Sequence, residues 1–268
     1  MAIALKGSAV TSGSTGASGA ITITHGLTIA AGDVLIAFVV TARNAGTMAD
    51  NNGDYAFTED YDWLDTTNSQ SHAVYSRVAG SSEPSSYAWA TAAWWTYCVI
   101  LLQFSGVDSD DIWDVPPSDA TRDGSWGATA TADSQTTTVD GALALFFVQG
   151  GGQNVTDPTN SFGDGVGQNT ADPKSWVFFK SIASAGAIGS TSATLSGDTA
   201  WRTHLLALTP ATTWTDASAN GNDATLHGFA GTESSGWGGM GTDADPYYLR
   251  SSADTEYVEL PACNVASD

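Results

Sequence analysis

The stretch Trp94-Trp95-Thr96-Tyr97-Cys98-Val99-Ile100-Leu101-Leu102-Gln103-Phe104-Ser105-Gly106-Val107 decides the fold class. Its apolar run is shorter than the roughly 20 residues that a bilayer-spanning helix requires. Its aromatic and β-branched content reads as a strand buried on both faces. A shorter version returns as Trp201-Arg202-Thr203-His204-Leu205-Leu206-Ala207-Leu208, again just before a change of composition. In this pairing His204 falls at the position of Cys98, and both residues read as core.

The repeat extends outward from these strands. Asp140-Gly141-Ala142-Leu143-Ala144-Leu145-Phe146-Phe147-Val148 matches Gly32-Asp33-Val34-Leu35-Ile36-Ala37-Phe38-Val39-Val40, and Val177-Phe178-Phe179-Lys180 matches Val74-Tyr75-Ser76-Arg77. Ser192-Ala193-Thr194-Leu195 leads into the second copy of the long strand as Tyr87-Ala88-Trp89 leads into the first. Matches that keep their order signal an internal duplication. The chain therefore divides into a first β-unit over residues 1–107, a linker over 108–126, a second unit over 127–210, and a C-terminal extension over 211–268. Residues 43–70 read as a long loop or a poorly patterned hairpin. Pro116 and Pro117 keep the linker out of a central strand. No helix-period segment is present to make parallel crossovers, so the expected fold is an all-β antiparallel sandwich of jelly-roll type. The pattern leaves open whether the two units form one sandwich or two.

Composition narrows the function classes. The chain has 268 residues, 29 of them acidic against 8 basic, and a net charge of −21. Such a surface repels phosphate backbones, which excludes nucleic acid as a partner. It suits solubility of an aromatic-rich β surface. No membrane span is expected, and Met1-Ala2-Ile3-Ala4-Leu5-Lys6-Gly7 reads without a secretory signal. Cys98 reads as a small buried hydrophobe, and a bridge to Cys263 is not expected.

The sequence order Gly32 to Ala37, Ala73-Val74-Tyr75, Glu83-Pro84-Ser85-Ser86-Tyr87, Gln103-Phe104-Ser105-Gly106-Val107-Asp108, then Thr137-Thr138-Val139-Asp140-Gly141-Ala142-Leu143 resembles a β-sandwich module of tailed-phage and prophage virion structural proteins. After Pro210, Asp216-Ala217-Ser218-Ala219-Asn220-Gly221-Asn222-Asp223-Ala224-Thr225-Leu226-His227-Gly228, followed by Tyr257-Val258-Glu259-Leu260, resembles the opening of a concanavalin A-like lectin domain of LamG type. The first resemblance implies a virion component, made in the host cytoplasm and displayed on the particle. The second implies contact with glycans.

Candidate site residues fall into two sets. Trp113, Trp126, Trp214 and Trp237 lie in Gly- or Pro-rich segments, and Tyr247 and Tyr248 lie in the extension. Such aromatics anchor subunit interfaces or stack on sugars. Asp50, Asn52 and Asp54, and separately Asp108, Asp110 and Asp111, are oxygen-rich as Ca²⁺ requires, although neither set follows the EF-hand pattern. The competing reading of both is an Asx-rich turn. No cofactor is otherwise expected. His25, His72, His204 and His227 are scattered and lack a nucleophile elbow or a zinc-helix motif, so no catalytic residue is assigned.

The expectation is a non-enzymatic virion structural protein, a decoration, cement or fibre-type component of capsid or tail that packs against copies of itself and other virion proteins. A carbohydrate-binding adhesin that recognises cell-surface glycans is the alternative.

Overall fold

The computed structural model describes residues 2–14, 19–42, 48–65, 70–91 and 96–214, and four short strand segments beyond them. In the first unit the strands are β1 (Ala4–Ser14), β2 (Gly19–Thr24), β3 (Val34–Ala42), β4 (Met48–Asp50), β5 (Thr58–Asp65), β6 (Gln70–Val78), β7 (Ser86–Thr91) and β8 (Thr96–Ser105). A large antiparallel sheet runs β1-β8-β3-β6-β5, and a small one runs β2-β7-β4. The pairings are nested. Strand β1 takes β8, β2 takes β7, and β3 takes β6. This is a hairpin rolled on itself, the jelly roll. The long apolar strand is β8, and it lies inside the sheet between β1 and β3. Part of the segment left open between loop and hairpin is a hairpin, with Thr58 to Asp65 paired against Ser76 to Gln70.

After β9 (Trp113–Val115) the second unit repeats this plan. Its strands are β10 (Arg122–Ala132), β11 (Thr136–Thr137), β12 (Leu143–Gln149), β13 (Val155–Thr156), β14 (Gly163–Gln168), β15 (Ser175–Ser181), β16 (Gly186–Ala187) and β17 (Thr191–Leu208). Its large sheet runs β10-β17-β12-β15-β14, strand for strand the order of the first. Here β17 is one strand of 18 residues that does the work of both β7 and β8. Strand β10 pairs along most of its length, past a bulge between Gly127 and Thr129. Strand β10 begins inside the stretch read as linker, and β9 pairs with the end of β17. The extension contributes β18 (Thr212–Trp214), β19 (Ala224–His227), β20 (Gly236–Gly238), β21 (Tyr248–Arg250) and β22 (Tyr257–Glu259). The 3₁₀ turn Gly53–Tyr55 is the only helical element among the described residues, and none there is long and apolar enough to cross a membrane.

Register fixes the equivalences. Gly32 and Gly141, at φ 82° and 79°, introduce β3 and β12 by the same left-handed step, which an L side chain resists. Ala79 N–H then donates to Asp33 C=O as Ile182 N–H donates to Ala142 C=O. With Val34 placed on Leu143, Phe38 coincides with Phe147, Phe104 with Leu208, and His72 with Ser175. By the same register Ile100, and not Cys98, is the counterpart of His204; Cys98 corresponds to Arg202. The equivalence expected from the sequence was displaced by two residues. Side chains repeat every two residues along a strand, so that slip leaves every side chain on its own face and the apolar pattern unchanged.

Alternation along the strands sorts the core into three layers. Leu35, Ala37 and Val39 of β3 face the small sheet and pack with Ile21, Ile23, Tyr87 and Trp89. In the second unit Ala144, Phe146 and Val148 pack under the folded-over halves of β10 and β17, with Ala130, Ala132, Ala193 and Leu195. The third layer joins the units: Val34, Ile36, Phe38, Ile100 and Leu102 meet Leu143, Leu145, Phe147, Leu206 and Leu208. Two jelly rolls, each with its own core, are thus fused back to back. The equivalent rings of Phe38 and Phe147 stack at 4.9 Å between centroids, so a pseudo-two-fold axis passes between them.

Phe147 is fully buried. Its replacement by Ala is expected to cost about 3–5 kcal/mol, the range for an aromatic deleted from a core. The unfolding of Phe147→Ala, followed by circular dichroism in urea, should remain one transition because both units lose the same layer. Two resolved transitions would show that the units are independent.

Candidate functional site

The aromatic candidates separate. Trp113, in β9, is half-buried against the central core. Trp126, in β10 opposite Ala200, is 68% exposed and is the most exposed large apolar side chain among those described. Trp214 ends β18 opposite Ala224, Trp237 pairs with Leu249, and Tyr248 pairs with Gly238. Tyr247 and Cys263 lie outside the described residues.

The acidic candidates form two turns. Asp50 accepts hydrogen bonds from the backbone and side-chain amides of Asn52. Asn52 Oδ1 in turn accepts from Ala88 N–H at 2.7 Å, which ties the turn to β7. Asp54 sits in the 3₁₀ turn that follows. Asp108 accepts from Asp110 N–H at 3.0 Å. Asp111 is held above the usual carboxylate range by burial, with Asp108 and Asp114 adding to the effect. Among the described residues no three His, Cys, Asp or Glu side chains come together as a metal-holding group.

A shallow cleft of about 360 Å³ is lined by His25, Leu27, Thr28, Ile29, Glu83, Pro84 and Ser85. Its carboxylate is already engaged. Glu83 accepts from Arg77, from the Tyr87 hydroxyl at 2.7 Å and from Gly80 N–H.

The most elaborate polar arrangement was not singled out from the sequence. One end of the layer between the units is apolar, but toward the start of β6 and β8 it turns polar. There Gln70, His72, Gln149, Ser175, Arg202 and His204 are all buried. Trp63 of β5 lies between two guanidinium groups, Arg122 at 4.5 Å and Arg202 at 4.7 Å from its ring, the geometry of cation–π attraction. Gly124 makes room for Arg202, since a Cβ there would lie 2.4 Å from Arg202 Cδ. The Tyr61 hydroxyl donates to Asp119 at 2.7 Å and accepts from Arg122 Nε at 3.0 Å. Burial pushes its pKa up to about 12, and the Asp119 carboxylate adds to the rise.

At the centre, His72 Nε2 and His204 Nε2 are 2.7 Å apart. His204 Nδ1 lies 3.2 Å from the Thr121 hydroxyl. Burial holds His72 well below the normal imidazole range, with His204, Arg122 and Arg202 acting the same way. Burial and Arg122 bring His204 down to about 3. Both rings are therefore neutral near pH 7 and share a single proton between the facing nitrogens. One sequence signal pointed here: Arg202 and His204 occupy alternate positions, hence one face, of a strand, directly before the apolar run Leu205–Leu208.

No family model matches the chain, and neither a curated protein nor a solved structure matches it.

Cys98 faces this same seam, is fully buried, and has its thiol pushed by burial up to about 12. In a Cys263→Ser variant at pH 8, the native protein should leave a thiol reagent such as dithionitrobenzoate unreacted for hours. One equivalent should react on unfolding in guanidinium, because the thiolate is the reactive form. Prompt reaction in the native state would mean the seam is open.

Proposed function

We propose that this is a non-enzymatic structural protein of a tailed-phage virion, a decoration, cement or fibre-type component exposed on capsid or tail, which acts by packing against copies of itself and other virion proteins. The observation that carries this reading is the fusion of two jelly rolls through a shared apolar layer. That fusion makes a single rigid block and leaves its outer sheets and edge strands for contact. The jelly roll is an architecture used by viral capsid and lectin domains. The argument is one of architecture, joined to the resemblance of residues 8–210 to phage virion modules.

Edge β1 supports it. From Gly7 to Ser14 the strand carries no charge and pairs in unbroken register on one side, while Leu5 and Val10 are 39% and 36% exposed. Strand β5, at the opposite edge, is guarded by Glu59, Asp60 and Asp62 and a bulge. Its bulge and its one charge, Lys6, which is paired with Asp33, lie at the start of the strand, and the uncharged stretch beyond is the kind that pairs with another chain. The net charge of −21 keeps the surface away from nucleic acid and points contacts toward protein.

Glycan binding is the second reading, and Trp126 favours it. An indole 68% exposed on a jelly-roll strand offers a stacking face for a sugar. On this reading the protein is a receptor-binding module of the same particle.

Quantitative mass spectrometry of purified particles should find the protein in many copies per particle; recovery only as a soluble monomer would overturn the structural role. On a glycan array, with and without Ca²⁺, the structural reading expects no signal. A signal that Trp126→Ala abolishes would replace it with the second reading.

A further inference from the structure

We propose that His72 and His204 form an acid-operated latch between the two jelly-roll units, shut while both imidazoles are neutral and broken when both are protonated. The geometry restricts the charge states. With Nε2 facing Nε2 at 2.7 Å, one nitrogen donates and the other accepts. One added proton still leaves a donor facing an acceptor, because His204 can turn its proton to Nδ1 and donate to Thr121; protonating both rings sets N–H against N–H, and that contact cannot persist at this distance.

The rest of the pair is tied into both units. In the tautomer set with Thr121, just before β10, donating to His204 Nδ1, His204 Nε2–H donates to His72, and Gln149 lies beside His72. Gln149 Nε2 donates to Thr41 C=O, at the end of β3 in the first unit, at 3.5 Å. His72 Nδ1 itself makes no hydrogen bond, so His72 is held by the Nε2–Nε2 contact and by packing. The line of contacts crosses the interface three times, so breaking its centre loosens the seam and not merely one side chain.

The surroundings sharpen the response. From β10 and β17, Arg122 and Arg202 act on the pair as fixed positive charges. From β5, Tyr61 packs edge-on against His204 at 5.0 Å, and burial keeps it neutral. The nearby carboxylate, Asp119, is shared between Tyr61 and Arg122. No buried carboxylate among the described residues therefore compensates an imidazolium here. At the equivalent positions of the other unit stand Ile100 and Ser175, which do not titrate, so the latch exists on one side of the pseudo-two-fold axis only.

The sign follows from linkage. Both imidazoles are held below 6.5 in the folded protein, so the opened or unfolded chain binds more protons, and stability falls as pH drops through 6.5 and on toward the folded values. Asp60 and Asp62 oppose this. Burial raises each to about 6, so they take up protons in the folded state and add stability as pH falls from about 6 toward 3.8. A comparison that keeps both aspartates fixed cancels them.

The experiment compares the full chain with His72→Ser/His204→Ile, which places at each position the residue of its counterpart. Between pH 7.0 and 5.5 the unfolding constant of the wild type, from urea titration, should rise relative to the variant by roughly 10-fold for each histidine, on the order of 100-fold for both. In parallel, long-range ¹H–¹⁵N NMR of the folded wild type should show both imidazoles as single neutral tautomers down to pH 5. Equal acid sensitivity in the two proteins overturns the latch, as does either ring titrating near 6.5 in the folded state. If the variant does not fold, the NMR titration decides alone.

Discussion

Everything in this protein hangs on the apolar layer between the two large sheets. A jelly roll has two sheets and normally offers water the outer face of each. Here the outer faces of β3, β8, β12 and β17 carry Val, Ile, Leu and Phe, and they satisfy one another. That is why these strands read as uninterrupted apolar runs: each of their faces meets a different core. Neither unit can leave the other without exposing this surface, so the chain behaves as one body although its sequence holds two copies of a plan.

Much of the fold was legible because duplication writes the same signal twice. Strand β3 predicts β12 and β6 predicts β15, and the glycines at 32 and 141 mark the same turn. The register of β8 against β17 was not legible, because a two-residue displacement leaves the apolar face intact. Only the partner strands fix it. Of the aromatic candidates whose burial is described, Trp126 is well exposed. Trp113 was read as a loop aromatic, but it borders the central core. The polar seam escaped because its members come from β5, β6, β10, β12, β15 and β17, and no spacing along the chain links Trp63 to Arg202 or His72 to His204.

The seam also shows what duplication permits once two copies share a chain. A symmetric dimer must place the same residue on both sides of its axis, so a lone histidine pair cannot be confined to one side. Within one chain the copies diverge independently. Phe38 and Phe147 stay matched and preserve the packing at the axis, while His72 against Ser175, and His204 against Ile100, make the two sides different. Hydrophobic complementarity holds the halves together and polar chemistry distinguishes them. A buried polar contact in an apolar interface fixes register at some expense of stability.

Strand β17 has a mechanical consequence. In the first unit the corresponding strands β7 and β8 belong to different sheets. In the second unit β17 runs unbroken through both layers for 18 residues, a span of roughly 60 Å when extended. It behaves as a tie rod. A load applied near residue 208, where the extension departs, passes directly along hydrogen-bonded backbone into both sheets of the second unit. The end of the first unit is tied to the same point by backbone, through Ala211 N–H to Gly106 C=O at 2.8 Å and the Val107–Pro210 bridge, so the pull is shared there with β8.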